Sequence, residues 1–221
     1  MDNSINVTIT QNVINEETGT KILASLEDFF KTTILKKVEG IERPLQQKYR
    51  NFLERSLGRF ECYFDKTLEQ QIMDYLLSNA KFKDIHNHCI ECIKKYNDGY
   101  IEDICFIPVE ANTPDGQWHR DTIIENEIVD FERPPYYIAH LIYFDDLANT
   151  EFCLNSAHNS NNDPNIYEKL MTNAQANSSV FFDGRLLHRG LKNNNPNTRY
   201  AIYISYTATS YSIKETQNIY F

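Results

Sequence analysis

The chain has 221 residues, enough for one full hydrophobic core, and its 41% hydrophobic and 13% aromatic content with only seven Gly and seven Pro excludes a disordered or collagen-like polymer. A formal charge of −9, with no cluster of five or six Lys and Arg, argues against a nucleic-acid partner. No run of 18 apolar residues and no basic, apolar leader is present, so a cytoplasmic protein with no membrane partner is expected.

Cys62, Cys89, Cys92, Cys105 and Cys153 form an odd set without disulfide-scaffold spacing, and reduced thiols are expected. Along the chain, residues 5–9 alternate like a strand. Residues 16–38 then carry Ile22, Leu23, Leu26, Phe29, Phe30 and Ile34 at helical spacing, with Gly40 as a stop. Residues 45–57 read as a second helix, 59–64 as a short strand, 68–77 as a third helix with Leu68, Ile72, Tyr75 and Leu76 on one side, and 82–96 as a fourth.

From Tyr100 the pattern changes to short β-branched and aromatic runs at 100–110, 136–144, 151–155, 179–182 and 199–207. Turn residues separate them, at Asn112-Thr113-Pro114-Asp115-Gly116, 133–135, the Asn-rich 155–165 and 193–197. The Asn-rich stretches receive no functional weight from composition. Helices followed by strands predict an α+β, mainly β, single domain over 1–221. A helix-rich part (1–99) would pack on one sheet of a jelly-roll core (100–210).

Within that core, Trp118-His119-Arg120-Asp121 sets an imidazole and a carboxylate two residues apart, so both project from one face of an extended segment and could share one metal ion. A third ligand, His188, follows an apolar strand and a turn in Asp183-Gly184-Arg185-Leu186-Leu187-His188-Arg189-Gly190. Two His and one carboxylate make a facial triad that leaves three coordination positions open. Arg199, opening the last strand, offers a planar fork suited to gripping a carboxylate in a low-dielectric cavity.

These segments, together with Ser156-Ala157-His158, resemble in order and spacing the phytanoyl-CoA dioxygenase-like family of iron(II)- and 2-oxoglutarate-dependent oxygenases, which are built on a double-stranded β-helix. The resemblance is specific over 101–207 and looser over the N-terminal helices. It implies that His119, Asp121 and His188 hold iron(II) and serve catalysis, that Arg199 binds the far carboxylate of 2-oxoglutarate, and that O2 is the second cosubstrate. The implied reaction hydroxylates an aliphatic C–H of a small molecule, such as an amino acid, a lipid-derived acid or a natural-product intermediate, with release of succinate and CO2. Asp121 favours hydroxylation over halogenation, in which that carboxylate is replaced by a small residue. Where the family usually has Pro-Gly before its Ser-His segment, this chain has Leu154-Asn155.

Other residues admit two readings. Tyr136 and Tyr137 open the strand after the first ligand loop, and Tyr137 is expected to help Arg199 with the carboxylate, with core packing as the alternative for it and for Tyr203. The fragment His86-x-His88-Cys89-x2-Cys92 has zinc-ligand residue types but reads as one helix with buried Cys and surface His. His140, His158 and Asp145-Asp146 read as packing, loop and strand-end residues. The acidic loop 122–135, with Glu125, Glu127, Asp130 and Glu132 against Arg133, is a candidate lid. Two rival functions remain open: a peptide or protein side-chain hydroxylase, and a catalytically silent jelly-roll ligand-binding module.

Overall fold

The structure, a computed structural model, describes residues 7–45, 49, 51–94, 99–122, 137–146, 148–159 and 161–209. Tyr136 and the acidic residues proposed as a lid lie outside them. No helix among the described residues is long and apolar enough to cross a membrane.

A short strand β1 (Thr8–Thr10) leads into helix α1 (Glu16–Phe29), whose first turn is capped by the Asn15 side chain accepting from the Thr18 N–H. Ile22, Leu26, Phe30 and Ile34 are fully buried, a repeat of four that drifts around a 3.6-residue helix. The wider π-helical turn over Phe30–Leu35, before the final turn α2 (Lys36–Val38), takes up that drift and keeps Phe30 and Ile34 on the core. Helices α3 (Lys66–Leu77), capped by Asp65, and α4 (Ala80–Lys94) match their sequence signals closely.

The described residues of the helix expected over 45–57 are not helical. Residues 52–56 are strand β2 (Phe52–Ser56), paired antiparallel with β3 (Arg59–Tyr63) through a turn at Leu57-Gly58, where Gly58 has φ +79°. The helix-forming Leu53-Glu54-Arg55 run is overridden by this turn and by cross-strand pairing, which bury Phe52 and Glu54 on one face and turn Arg55 to the other. Glu54 accepts the N–H groups of Leu45 and Gly58 and pairs with the Arg43 guanidinium, which closes the hairpin around a satisfied buried carboxylate.

The remaining strands are β4 (Tyr100–Val109), β5 (Tyr137–Tyr143), β6 (Thr150–Cys153), β7 (Lys169–Met171), β8 (Ser178–Asp183), β9 (His188–Gly190) and β10 (Arg199–Ala208). A seven-stranded antiparallel sheet in the order β1-β8-β5-β10-β4-β3-β2 faces a three-stranded sheet, β7-β6-β9, giving the double-stranded β-helix expected from sequence. The helices pack on the outer face of the large sheet, with Phe30 edge-on to Phe60 and Tyr200, and Phe29 edge-on to Phe106. His140 packs there too, stacked on Phe82 and fully buried, and burial pushes it down to about 3 so that it stays neutral.

Period-two alternation divides the large sheet. Even-numbered residues such as Phe106, Ile202, Ile204 and Tyr206 meet the helices, whereas Cys105, Ile107, Arg199, Ala201 and Tyr203 line a cavity of about 260 Å3 between the sheets.

Two glycine substitutions test the corrected hairpin. Gly40 has φ +75° with nothing near an added Cβ, whereas a Cβ at Gly58 would lie 2.3 Å from Thr113 Oγ1. Gly40→Ala is expected to cost about 1 kcal/mol, the strain of a left-handed alanine. Gly58→Ala is expected to cost about 2–3 kcal/mol because the buried Thr113 must also move. Urea unfolding of the two variants measures the difference.

Candidate metal centre

After β4 the chain turns at Asn112 and runs back along β9 as an extended strip. Gly116 N–H donates to Gly190 O at 2.8 Å, His119 and His188 exchange both backbone bonds at 2.9 Å, and Asp121 N–H donates to Gly184 O at 2.9 Å. In an antiparallel pair that exchanges both bonds, opposed side chains leave on the same face, and here the two imidazole centroids stand 4.3 Å apart. Asp121, two residues on, shares that face.

The result is one cluster. Asp121 Oδ1 lies 3.6 Å from His119 Nε2 and 3.5 Å from His188 Nε2, and one donor atom from each residue falls within 4.8 Å of the others. Among the described residues it is the only such group of three His, Cys, Asp or Glu. Each imidazole makes the same local bond, Nδ1 to the carbonyl two residues earlier, Gln117 O at 3.0 Å and Leu186 O at 2.9 Å. A carbonyl only accepts, so each ring carries its proton on Nδ1 and turns an Nε2 lone pair toward Asp121. Burial, then the neighbouring His188, pushes His119 down to about 4, so a neutral ring is ready to ligate.

Asp121 Oδ2 accepts a hydrogen bond from Tyr203 Oη at 2.9 Å, and Tyr203 Oη lies 2.9 Å from Tyr137 Oη. Burial and the adjacent Asp121 carboxylate raise Tyr203 far above the usual phenol range, so it remains a donor. Tyr137 therefore contacts Tyr203 rather than Arg199. The tyrosine whose electrostatics couple to Arg199 is Tyr143, which bonds Thr150 Oγ1 at 2.8 Å. Arg199 is buried, lines the cavity, donates to Leu191 O at 2.9 Å and to Lys192 O at 3.4 Å, and has no carboxylate in salt-bridge contact among the described residues.

Sequence reasoning missed Arg120. Its side chain leaves on the face opposite the ligands and is buried, reaching Asn162 Oδ1 at 2.9 Å, Ser156 O at 2.8 Å, Asn159 O at 3.0 Å and Asn161 O at 3.1 Å, and also Arg185 O. The Asn-rich loop that composition left without a role is thus its receptor. Asn159, Asn161 and Asp163 each accept the N–H two residues ahead, a run of Asx turns that presents the carbonyls to the guanidinium. The signal available in sequence was the co-occurrence of a charged residue between the two ligands with an Asn-rich loop. Nothing in their spacing links the two.

Asn155 explains the departure from Pro-Gly. It sits at φ +62°, in the left-handed region where glycine is favoured and Asn is the next most tolerant residue. Ser156 then bonds Cys153 O and accepts the Leu187 N–H, tying this turn to the chain entering β9. The zinc-type fragment on α4 does not assemble: Cys89 and Cys92 are buried as expected and His88 is exposed. His86, expected at the surface, is buried, with its Nδ1 on Tyr206 Oη at 2.9 Å.

The sequence matches no family model and no curated protein. Solved structures do match. The non-haem α-ketoglutarate-dependent epimerase SnoN of nogalamycin biosynthesis aligns over 92% of this chain and 78% of its own, with a TM-score of 0.61 and 10% identity. A prolyl hydroxylase from Trichoplax adhaerens, in complex with a hypoxia-inducible-factor peptide fragment, aligns over 94% and 86% with a TM-score of 0.62 and 14% identity. HygX from Streptomyces hygroscopicus, with nickel and 2-oxoglutarate bound, aligns over 93% and 84% with a TM-score of 0.58 and 9% identity. At these identities the likeness is one of fold.

Arg120 generates a prediction. Lysine keeps the charge but not the planar fork, so Arg120→Lys would strand several buried carbonyls and is expected to lower stability by about 2–4 kcal/mol. Equilibrium urea unfolding reads the loss, and full retention of stability would show that the loop contacts contribute nothing.

Proposed function

We propose that the protein is a non-haem iron(II)- and 2-oxoglutarate-dependent oxygenase that hydroxylates an aliphatic C–H of a small molecule. The observation that carries this is the meeting, in one cavity, of an Nε2, Nε2, Oδ1 donor set and a buried arginine that makes no salt-bridge contact among the described residues and has Asp145 only as a more distant charge. Two imidazoles and one carboxylate fit the facial triad of iron(II) oxygenases, and their Nδ1 anchors leave the Nε2 lone pairs as the atoms that would hold the ion. Iron(II) held there would couple oxidative decarboxylation of 2-oxoglutarate by O2 to C–H oxidation, so that R–H, O2 and 2-oxoglutarate give R–OH, succinate and CO2.

The chain's own residues supply position and charge. Arg199 would grip the far carboxylate of 2-oxoglutarate through parallel N–H bonds, with Tyr143 beside it in place of the Tyr137 expected from sequence. The walls of Ile107, Val109, Leu141 and Ala201 keep water from that end. Arg55, Glu61, Tyr63 and Asp103 line the same cavity, which supports a polar substrate over a hydrocarbon chain.

Succinate formation from 2-oxoglutarate with iron(II), followed by mass spectrometry, tests the reading together with an anaerobic titration for the weak visible band of the chelate. His119→Ala and Asp121→Ala are expected to abolish both signals. Arg199→Ala is expected to raise the 2-oxoglutarate KM about 100-fold, equivalent to roughly 2.7 kcal/mol of lost charge-assisted hydrogen bonding. Absence of both signals in the wild-type protein would favour a silent binding module on the same scaffold.

A further inference from the structure

With the Nδ1 of each imidazole bonded to a carbonyl, Asp121 is the one clustered residue that keeps two candidate ligand atoms, and the structure treats them differently. Oδ1 faces both imidazoles, whereas Oδ2 is taken by the Tyr203 hydroxyl at 2.9 Å. An ionised carboxylate only accepts, so Tyr203 must spend its single proton on Asp121. With that proton on Asp121, the 2.9 Å contact between the two phenols is a hydrogen bond when Tyr137 donates to Tyr203, and the Ser205 hydroxyl, also bonded to Tyr137, then donates to Tyr137. Tyr137 is itself held in place: its carbonyl accepts the Gly184 N–H at 3.0 Å, and a Cβ at Gly184 would come within 2.4 Å of its ring. Gly184 also accepts the Asp121 N–H, so one glycine registers both ends of the Tyr137–Tyr203–Asp121 chain.

We infer that Tyr203 is a positioning residue that holds Asp121 with a single oxygen presented to the metal, and that Tyr137 acts on the site through Tyr203. The inference rests on the metal reading of the cluster. A carboxylate left to rotate can turn both oxygens to the ion and occupy a position that the cosubstrates need, and it must be reordered each time metal binds. The phenol removes both outcomes without itself being a ligand.

Anaerobic calorimetric titration of Co(II), without cosubstrate, separates this from a packing role. Tyr203→Phe keeps the ring and is expected to weaken Co(II) binding about tenfold, within the range for loss of an outer hydrogen bond to a ligand. Tyr137→Phe is expected to weaken it about threefold, and the double variant no further than Tyr203→Phe alone, because residues acting in series do not add. Wild-type affinity in Tyr203→Phe, with His119→Ala impaired, would overturn the role of Tyr203 and leave the metal site standing. Additive losses in the double variant would overturn the series. Should Tyr203→Phe fail to give the wild-type unfolding transition, Tyr137→Phe carries the test, and unchanged affinity there overturns the inference. Equal Co(II) binding by wild type and His119→Ala would overturn the metal reading itself, and this inference with it.

Discussion

The pair of reciprocal backbone hydrogen bonds between His119 and His188 is the constraint on which the site depends. An exchanged pair in an antiparallel ladder has only one way to place its side chains, so joining these two backbones makes the imidazoles neighbours. Everything adjacent inherits its side from that register. Asp121 falls with the ligands, while Trp118 falls away from them, under the Arg189 guanidinium. Slippage by one residue would send the donor set into the loop packing and Arg120 into the cavity.

Around this pair, polar groups are disposed so that each has one arrangement. The two Nδ1 atoms are fixed by carbonyls of their own segments, Oδ2 of Asp121 by Tyr203, and the guanidinium of Arg120 by carbonyls of the Asn-rich loop. Arg185 pairs with Asp183 in the turn just before His188, adding a buried ion pair on the same connection. Buried groups of this kind are costly when half satisfied, and that cost makes their geometry specific. The fixed placement of the three donor atoms comes from this satisfied outer ring as much as from the strands.

The large sheet works as a partition. Its outer face buries Phe60, Phe106 and Ile202 against the helices and carries most of the apolar stabilisation. Its inner face is mixed in polarity, with Arg199 near one end of β10 and Ser205 toward the other. A sheet with one apolar and one functional face needs helices on one side only, which accounts for the segregation of helices to the N-terminal part of the chain.

The sequence by itself determined the residue types of the site, the helical faces and the alternation of the β region. These are set by neighbours a few positions apart, where periodicity and spacing are visible. His119, Asp121 and Arg199 could be singled out in sequence because strand alternation sets the first two on one face and a guanidinium suits a carboxylate. The hairpin at 52–63 was not, because helix propensity in Leu53-Glu54-Arg55 lost to pairing with a partner strand and to a left-handed Gly58. Only the tertiary structure decided that Arg120 grips the Asn-rich loop and that Tyr203, 82 positions from Asp121, donates to its Oδ2. Those contacts depend on strand order and register, which arise when distant segments pack and leave no local pattern in the chain.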